Sequence, residues 1–341
     1  MKWKKIEMLS FKRNKELIIV LCLLLFTQCG TVKNIELSPP KATIDVAAVE
    51  EVVYKTTLAK ESLKMDIFAP KETDPLPRPA VLFIHGGGWT AGSKEVIKTF
   101  YRQYVLKALL EKGYVVASVD YRVISDSIHF PDPIIDCKDA VRWLHKYGAK
   151  YNIDENDIGL WGASAGGHLA LMTAYTDDEE FIGEPNLEGV RSDVKYVIDN
   201  FGPTDLYRLF RPEINPILSK SLKWFANEKY QSRKKKIEQI TGVSLGDKDK
   251  TTAILKYYSP EQLVNKYTVP TLVMHGNNDK RVPIKQSIIL SDALKKNQVS
   301  HRLYTYKKAI HGFKNMNMEE IEKVTADMLI FIEEQTEKSK R

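Results

Sequence analysis

The chain has 341 residues, 43% of them hydrophobic and 28% charged, the balance of an ordinary globular protein with ample material for a core. Its formal charge is +7, but the first 28 residues supply six Lys/Arg against two Glu, so the remainder carries only +3 and makes no case for nucleic-acid binding. Of three cysteines only Cys137 falls in the region expected to fold, which excludes an internal disulfide there.

In chain order, Lys2, Lys4, Lys5, Lys12, Arg13 and Lys15 precede an apolar run from Leu17 to Phe26, and Gln28-Cys29-Gly30 follows. A basic front, a short apolar middle and a small-residue site read as a secretory signal over residues 1–28, and the run is too short to span a bilayer. Leu25-Phe26-Thr27-Gln28-Cys29 resembles a lipobox, with Gln28 in place of the usual small residue. That makes Cys29 the expected lipidation site. The protein is expected to be exported, in the periplasm or cell envelope, meeting membrane only through that anchor. Residues 29–48, polar and holding Pro39-Pro40, read as a tether to a domain over 49–341.

Val49 to Thr56 and Leu63 to Phe68 alternate as two antiparallel edge strands, and Pro70 to Pro79 is a surface loop. Ala80 to Ile84 is a continuous apolar run, as expected of a strand covered on both faces. A helix at about Lys98 to Glu111, a strand at Tyr114 to Val119 and a helix at about Pro133 to Tyr147 follow. The strand Ile158 to Trp161 runs into a helix at Ala165 to Tyr175, and Val194 to Asp199 is the next strand. Residues 205–258 break the rhythm with helical material and no strand, and read as an inserted helical cap. The run Arg233-Lys234-Lys235-Lys236 reads as a solvated helix face. A strand at Thr271 to Gly276, a helix at Ile284 to Lys296, a strand at His301 to Tyr306 and a helix at about Met318 to Glu334 complete the chain. Strands alternating with helices predict an α/β fold with a mostly parallel sheet and helices on both faces.

Three loops carry chemistry. Between strand and helix stands Gly162-Ala163-Ser164-Ala165-Gly166, the context in which G-x-S-x-G forms a nucleophile elbow. The turn strains the serine backbone, the glycines relieve crowding, and the helix behind aims N–H groups at an anion beside Ser164. His85-Gly86-Gly87-Gly88-Trp89 follows a buried strand and supplies the other part of an oxyanion hole through the N–H groups of Gly87 and Gly88, beside that of Ala165. Asp279 and His311 each lie just past a later strand, in the order serine, acid, base. His311 would take the Ser164 proton while Asp279 fixes its tautomer.

The remaining candidates read more plainly. His85 braces its loop, His168 is packed or hydrogen-bonded, and His129, His145, His275 and His301 lack a catalytic position. Asn277 and Asn278 are amides and leave Asp279 without a rival in its loop. Cys137 is a small core residue. Trp89 either walls a substrate pocket or packs. No Cys/His spacing indicates a metal.

These motifs, with Asp157 to Leu169, Val282-Pro283 and His311-Gly312-Phe313, make residues 49–334 resemble the α/β-hydrolase fold. Within it the chain looks most like the esterases related to hormone-sensitive lipase and the bacterial bifunctional acetylxylan and feruloyl esterases. Ala163, where many lipase relatives have Asp, and the local motif around Asp279 tilt the match toward the second group. The resemblance implies cofactor-free carboxylic-ester hydrolysis through an acyl-enzyme, with a small ester or acylated plant carbohydrate as partner. Two alternatives stand beside it: an amidohydrolase of arylformamidase type on the same triad, and a catalytically silent hydrolase fold used for binding.

Overall fold

The computed structural model describes residues 39–46, 48–71, 77–211 and 227–337. The expected signal segment and Cys29 lie outside them.

Among the described residues eight strands form one sheet: β1 (Ala48–Thr56), β2 (Ser62–Ala69), β3 (Arg78–Ile84), β4 (Val115–Val119), β5 (Ile153–Ala163), β6 (Tyr196–Asn200), β7 (Thr271–Gly276) and β8 (His301–Tyr306). Their spatial order is β1-β2-β4-β3-β5-β6-β7-β8. The pairs β1–β2 and β2–β4 are antiparallel, and every other pair is parallel. Of the two strands expected as an edge pair only β1 is an edge, since β2 is flanked on both sides; β8 is the opposite edge.

Period-2 alternation decides which face each side chain serves. In β3, Ala80, Leu82 and Ile84 enter one core while Val81 and Phe83 enter the other, and all five are fully buried. Strand β5 divides likewise, Ile158 and Leu160 against Trp161 and Ala163. The first core is covered by α2 (Asp132–Tyr147), α3 (Ala165–Tyr175) and α7 (Lys285–Lys296), the second by α1 (Arg102–Glu111) and α8 (Met318–Glu337). Strands buried on both faces require continuous apolar runs, which is what the sequence holds.

Helix α1 starts later than periodicity predicts. Lys94–Lys98 form a 3₁₀ turn, Thr99 is extended, and Phe100 has φ 49°. The described part of the expected tether is docked on this helix. The Ala42 N–H donates to Gln103 Oε1 at 2.8 Å, Tyr104 Oη donates to the Pro40 carbonyl at 2.6 Å, and Ile44 and Val46 pack on the second core.

Between β6 and β7 the described residues form α4 (Leu206–Phe210), α5 (Asn227–Thr241) and α6 (Lys248–Tyr257), with no strand among them. Ile237, Ile240 and Leu255 of this segment are fully buried in the first core. The loop after β4 grips the end of α5: Phe130 N–H donates to the Ile240 carbonyl at 3.1 Å, and His129 Nδ1 to that of Gln239 at 2.7 Å. The basic run is not uniformly solvated. Successive helical residues turn by about 100°, so four of them sweep most of the circumference. Lys235 is exposed, whereas Arg233 and Lys236 are half-buried and donate to backbone carbonyls.

Candidate active site

The chain enters the site through the turn from β5 into α3. Ser164 has φ 57° and ψ −121°, a conformation that costs a non-glycine residue free energy and persists only when its surroundings impose it. They do so here. Ser164 N–H donates to the Asn200 carbonyl at 2.8 Å, and its own carbonyl accepts from His168 N–H at 3.2 Å. A Cβ on Gly162 would lie 2.1 Å from the Gly166 carbonyl oxygen, and one on Gly166 would lie 2.0 Å from that of Ile84. Helix and strand approach so closely that only glycine fits at either position.

Ser164 Oγ lies 2.9 Å from His311 Nε2, and His311 Nδ1 lies 2.6 Å from Asp279 Oδ2. The loops after β5, β7 and β8 therefore bring the three expected side chains into one hydrogen-bonded line. The loops bearing acid and imidazole are also tied together. Asn277 N–H donates to the Tyr306 carbonyl and Asn278 N–H to that of Ala309, each at 3.0 Å. The Phe201 ring stands edge-on to the His311 ring, centroids 5.0 Å apart.

The second Asp279 oxygen, Oδ1, accepts from the N–H groups of Arg281 at 2.8 Å and Val282 at 3.0 Å. Burial alone would raise this carboxyl. Hydrogen bonds from His275 and His311, the charge of His311 and the Val282 N–H outweigh that and hold it well below the usual carboxylate range. It is an anion at neutral pH, as required of a group that holds an imidazole in one tautomer.

His275 is a supporting residue the sequence did not disclose. Its Nε2 donates to the Val282 carbonyl at 2.9 Å and lies 3.4 Å from Asp279 Oδ2, while its Nδ1 accepts from the Ser287 hydroxyl at 2.6 Å. A histidine ending a strand four residues before the acid is the only sequence signal of this contact. Asp199, at the end of β6, is the other. It is fully buried, its Oδ1 accepts from Gly202 N–H at 2.8 Å, and its Oδ2 has no partner among the described residues. Burial, opposed by His275 and the Gly202 N–H, pushes its carboxyl up to about 7.

The loop after β3 lies against the elbow: a Cβ on Gly86 would stand 3.1 Å from Ser164 Cβ. Gly87, Gly88 and Trp89 have φ of 134°, 63° and 65°, and Thr90 N–H donates to the Gly87 carbonyl at 3.3 Å. His85 Nδ1 donates to the Gly86 carbonyl at 2.8 Å, its ring stacks on Tyr121 with centroids 4.2 Å apart, and burial lowers it to about 4 despite that bond. Ala165 is the first residue of α3, so its N–H is one of the unpaired donors at that helix start.

Trp89 is 4% exposed. Its Nε1 donates to His168 Nδ1 at 3.3 Å, and its ring meets those of Phe130, His168 and Phe210. Those contacts are packing contacts. His168 Nε2 donates to the Tyr258 carbonyl at 2.8 Å and burial lowers this imidazole to about 4, so it stays neutral with both nitrogens engaged. His129, His145 and His301 each meet a backbone carbonyl away from Ser164. Cys137 is buried within α2, where burial pushes its thiol well up.

The BD-FAE family model matches residues 65–294. Among curated proteins, the chain is 27% identical over 224 residues to "Esterase LipC" of Mycobacterium tuberculosis, covering 65% of this chain and 50% of that protein. It is 29% identical over 250 residues to "Probable carboxylic ester hydrolase LipM" of the same organism, covering 71% and 50%. The chain thus spans about half the length of these curated relatives. Among solved structures, a butyrate-bound thermophilic esterase from the Planctomycetes species Thermogutta terrifontis superposes with TM-score 0.63 at 25% identity, covering 84% of this chain and 95% of that one. A truncated carbohydrate esterase from gut microbiota superposes with TM-score 0.67 at 24% identity, covering 88% and 100%. The architecture is that of the α/β-hydrolase fold.

Proposed function

The chain belongs to the BD-FAE family of α/β-hydrolase esterases, and from that premise we propose that it is a serine carboxylic-ester hydrolase acting through an acyl-enzyme. The observation that carries this reading is the line of hydrogen bonds from Ser164 Oγ through His311 to Asp279. Ser164 Oγ attacks the ester carbonyl carbon while His311 Nε2 takes its proton, and Asp279 stabilises the imidazolium that forms. The carbonyl π electrons move onto oxygen, where the N–H groups of Ala165, Gly87 and Gly88 receive the charge. Loss of one such donor costs about 3 kcal/mol of transition-state stabilisation. Collapse expels the alcohol, protonated by His311, and leaves acyl-Ser164. Water, deprotonated by His311, then releases the acid and restores the serine.

The substrate we propose is an acetylated or feruloylated plant polysaccharide or its fragments. Family membership and likeness in fold to a carbohydrate esterase support it. A cleft of about 1010 Å³ opens beside the loop after β3, with Thr90, Ile124, Ser125, Phe210, Lys236 and Gln239 among its walls; Ser164, Asp279 and His311 do not line it. The helical segment between β6 and β7 forms one of those walls and serves as the cap. An exported form anchored by lipid at Cys29 would work beside such polymers outside the cytoplasm.

The test is a panel of acetylated xylan, methyl ferulate, aryl acetates and N-formylkynurenine, run with the enzyme and with Ser164→Ala. The reading expects release of acetate or ferulate, lost in the variant. Turnover of N-formylkynurenine alone would replace ester chemistry with formamide chemistry, and inertness toward all four would remove the assignment.

A further inference from the structure

We propose that Lys236, on the cap helix α5, is a positioning residue for the oxyanion loop. This inference rests on the catalytic reading of Gly87 and Gly88 given above. The loop turns through three successive residues with positive φ, two of them glycines, so its peptide planes have little intrinsic preference for one orientation. A donor N–H contributes to catalysis only if it already points at the developing charge. Specific hydrogen bonds to the loop carbonyls must hold the planes.

Two contacts do so. The Gly87 carbonyl, in the same peptide plane as the Gly88 N–H, accepts from Thr90 N–H at 3.3 Å. The next carbonyl, that of Gly88, accepts from Lys236 Nζ, which also lies 3.4 Å from Thr90 Oγ1. One ammonium therefore holds the Gly88–Trp89 peptide, next to the plane that carries the Gly88 N–H, and touches Thr90, which anchors that plane. The same group stands 5.5 Å from the centroid of the Trp89 ring. Its acceptors among the described residues are neutral, and burial lowers its pKa. A half-buried cation held by neutral groups is costly, and the charge-assisted bond to the Gly88 carbonyl is what it gains. The seating of α5 and the orientation of the Gly88 peptide are thus linked through Lys236.

The experiment has two arms. In the inactive Ser164→Ala background, hydrogen exchange of peptides spanning residues 85–92 is followed by mass spectrometry with and without Lys236→Met. The proposal expects exchange to rise about tenfold when the clamp is lost. In the active enzyme, Lys236→Met should lower kcat about tenfold or more with KM nearly unchanged, Lys236→Arg should restore most of it, and Lys234→Met, beside Glu238 and outside the cleft, should do nothing. Unchanged kcat in Lys236→Met overturns the proposal, as does equal loss in Lys236→Arg. If the wild-type enzyme hydrolyses no ester, the catalytic reading has failed instead, and exchange alone decides the clamp: faster exchange supports it, unchanged exchange overturns it.

Discussion

His275 Nε2 lies 3.4 Å from Asp279 Oδ2, the same oxygen that His311 Nδ1 reaches at 2.6 Å. The proposed acid is thus held between two imidazoles, one fixed by the Val282 carbonyl and the Ser287 hydroxyl and the other facing Ser164. His275 acts through Asp279 and has no contact with the serine.

From this placement, His275→Gln should lower kcat by about tenfold to a hundredfold with KM little changed, the value of one hydrogen bond to a charged group. Steady-state kinetics on p-nitrophenyl acetate checks it. A fall confined to KM would mean that His275 shapes the pocket instead.

Asp279→Asn should be far more damaging. The amide cannot accept from His311 Nδ1–H in both rotamers, so it loses control of the tautomer, and kcat should fall on the order of 10³–10⁴-fold while the fold is retained. Circular dichroism beside kinetics separates that outcome from unfolding.

Asp199 gives a pH-dependent prediction about stability. Its carboxyl titrates near 7 in the folded chain, against about 3.9 when unfolded. Between those values the folded state holds a proton that the unfolded state has lost, so this group's contribution to stability falls as pH rises through that window and is flat above it. Asp199→Asn should match wild type below about pH 4 and exceed it by about 2–4 kcal/mol near pH 8. Urea denaturation at a series of pH values checks it, and parallel curves for the two proteins would contradict it.

Gly166→Ala tests the elbow. Its Cβ would stand 2.0 Å from the Ile84 carbonyl oxygen and 2.5 Å from that of His85, both backbone atoms. The expected cost is about 3 kcal/mol of stability, with loss of esterase activity as the turn shifts. Thermal unfolding and p-nitrophenyl ester hydrolysis read the two effects.

Much of this geometry was legible before the fold was known, because it depends on local constraints. G-x-S-x-G between an apolar run and small residues admits one turn, and the strained φ of Ser164 follows from it. Asp279 and His311 could be placed because parallel strands deliver their following loops to one rim. Long-range contacts left less trace. His275 touches the acid only because β7 ends where the chain doubles back through Val282. The late start of α1 depends on Phe100 at φ 49°, which apolar periodicity does not encode. Lys236 looked like one charge in a solvated run, since composition does not say which way each member of the run turns.

The most direct measurement is active-site labelling with a fluorophosphonate, followed by peptide mapping of the native enzyme. The account predicts a single covalent adduct on Ser164, formed slowly or not at all after His311→Ala. An unreactive Ser164 in a folded, correctly assembled protein, or an adduct on another residue, would contradict it.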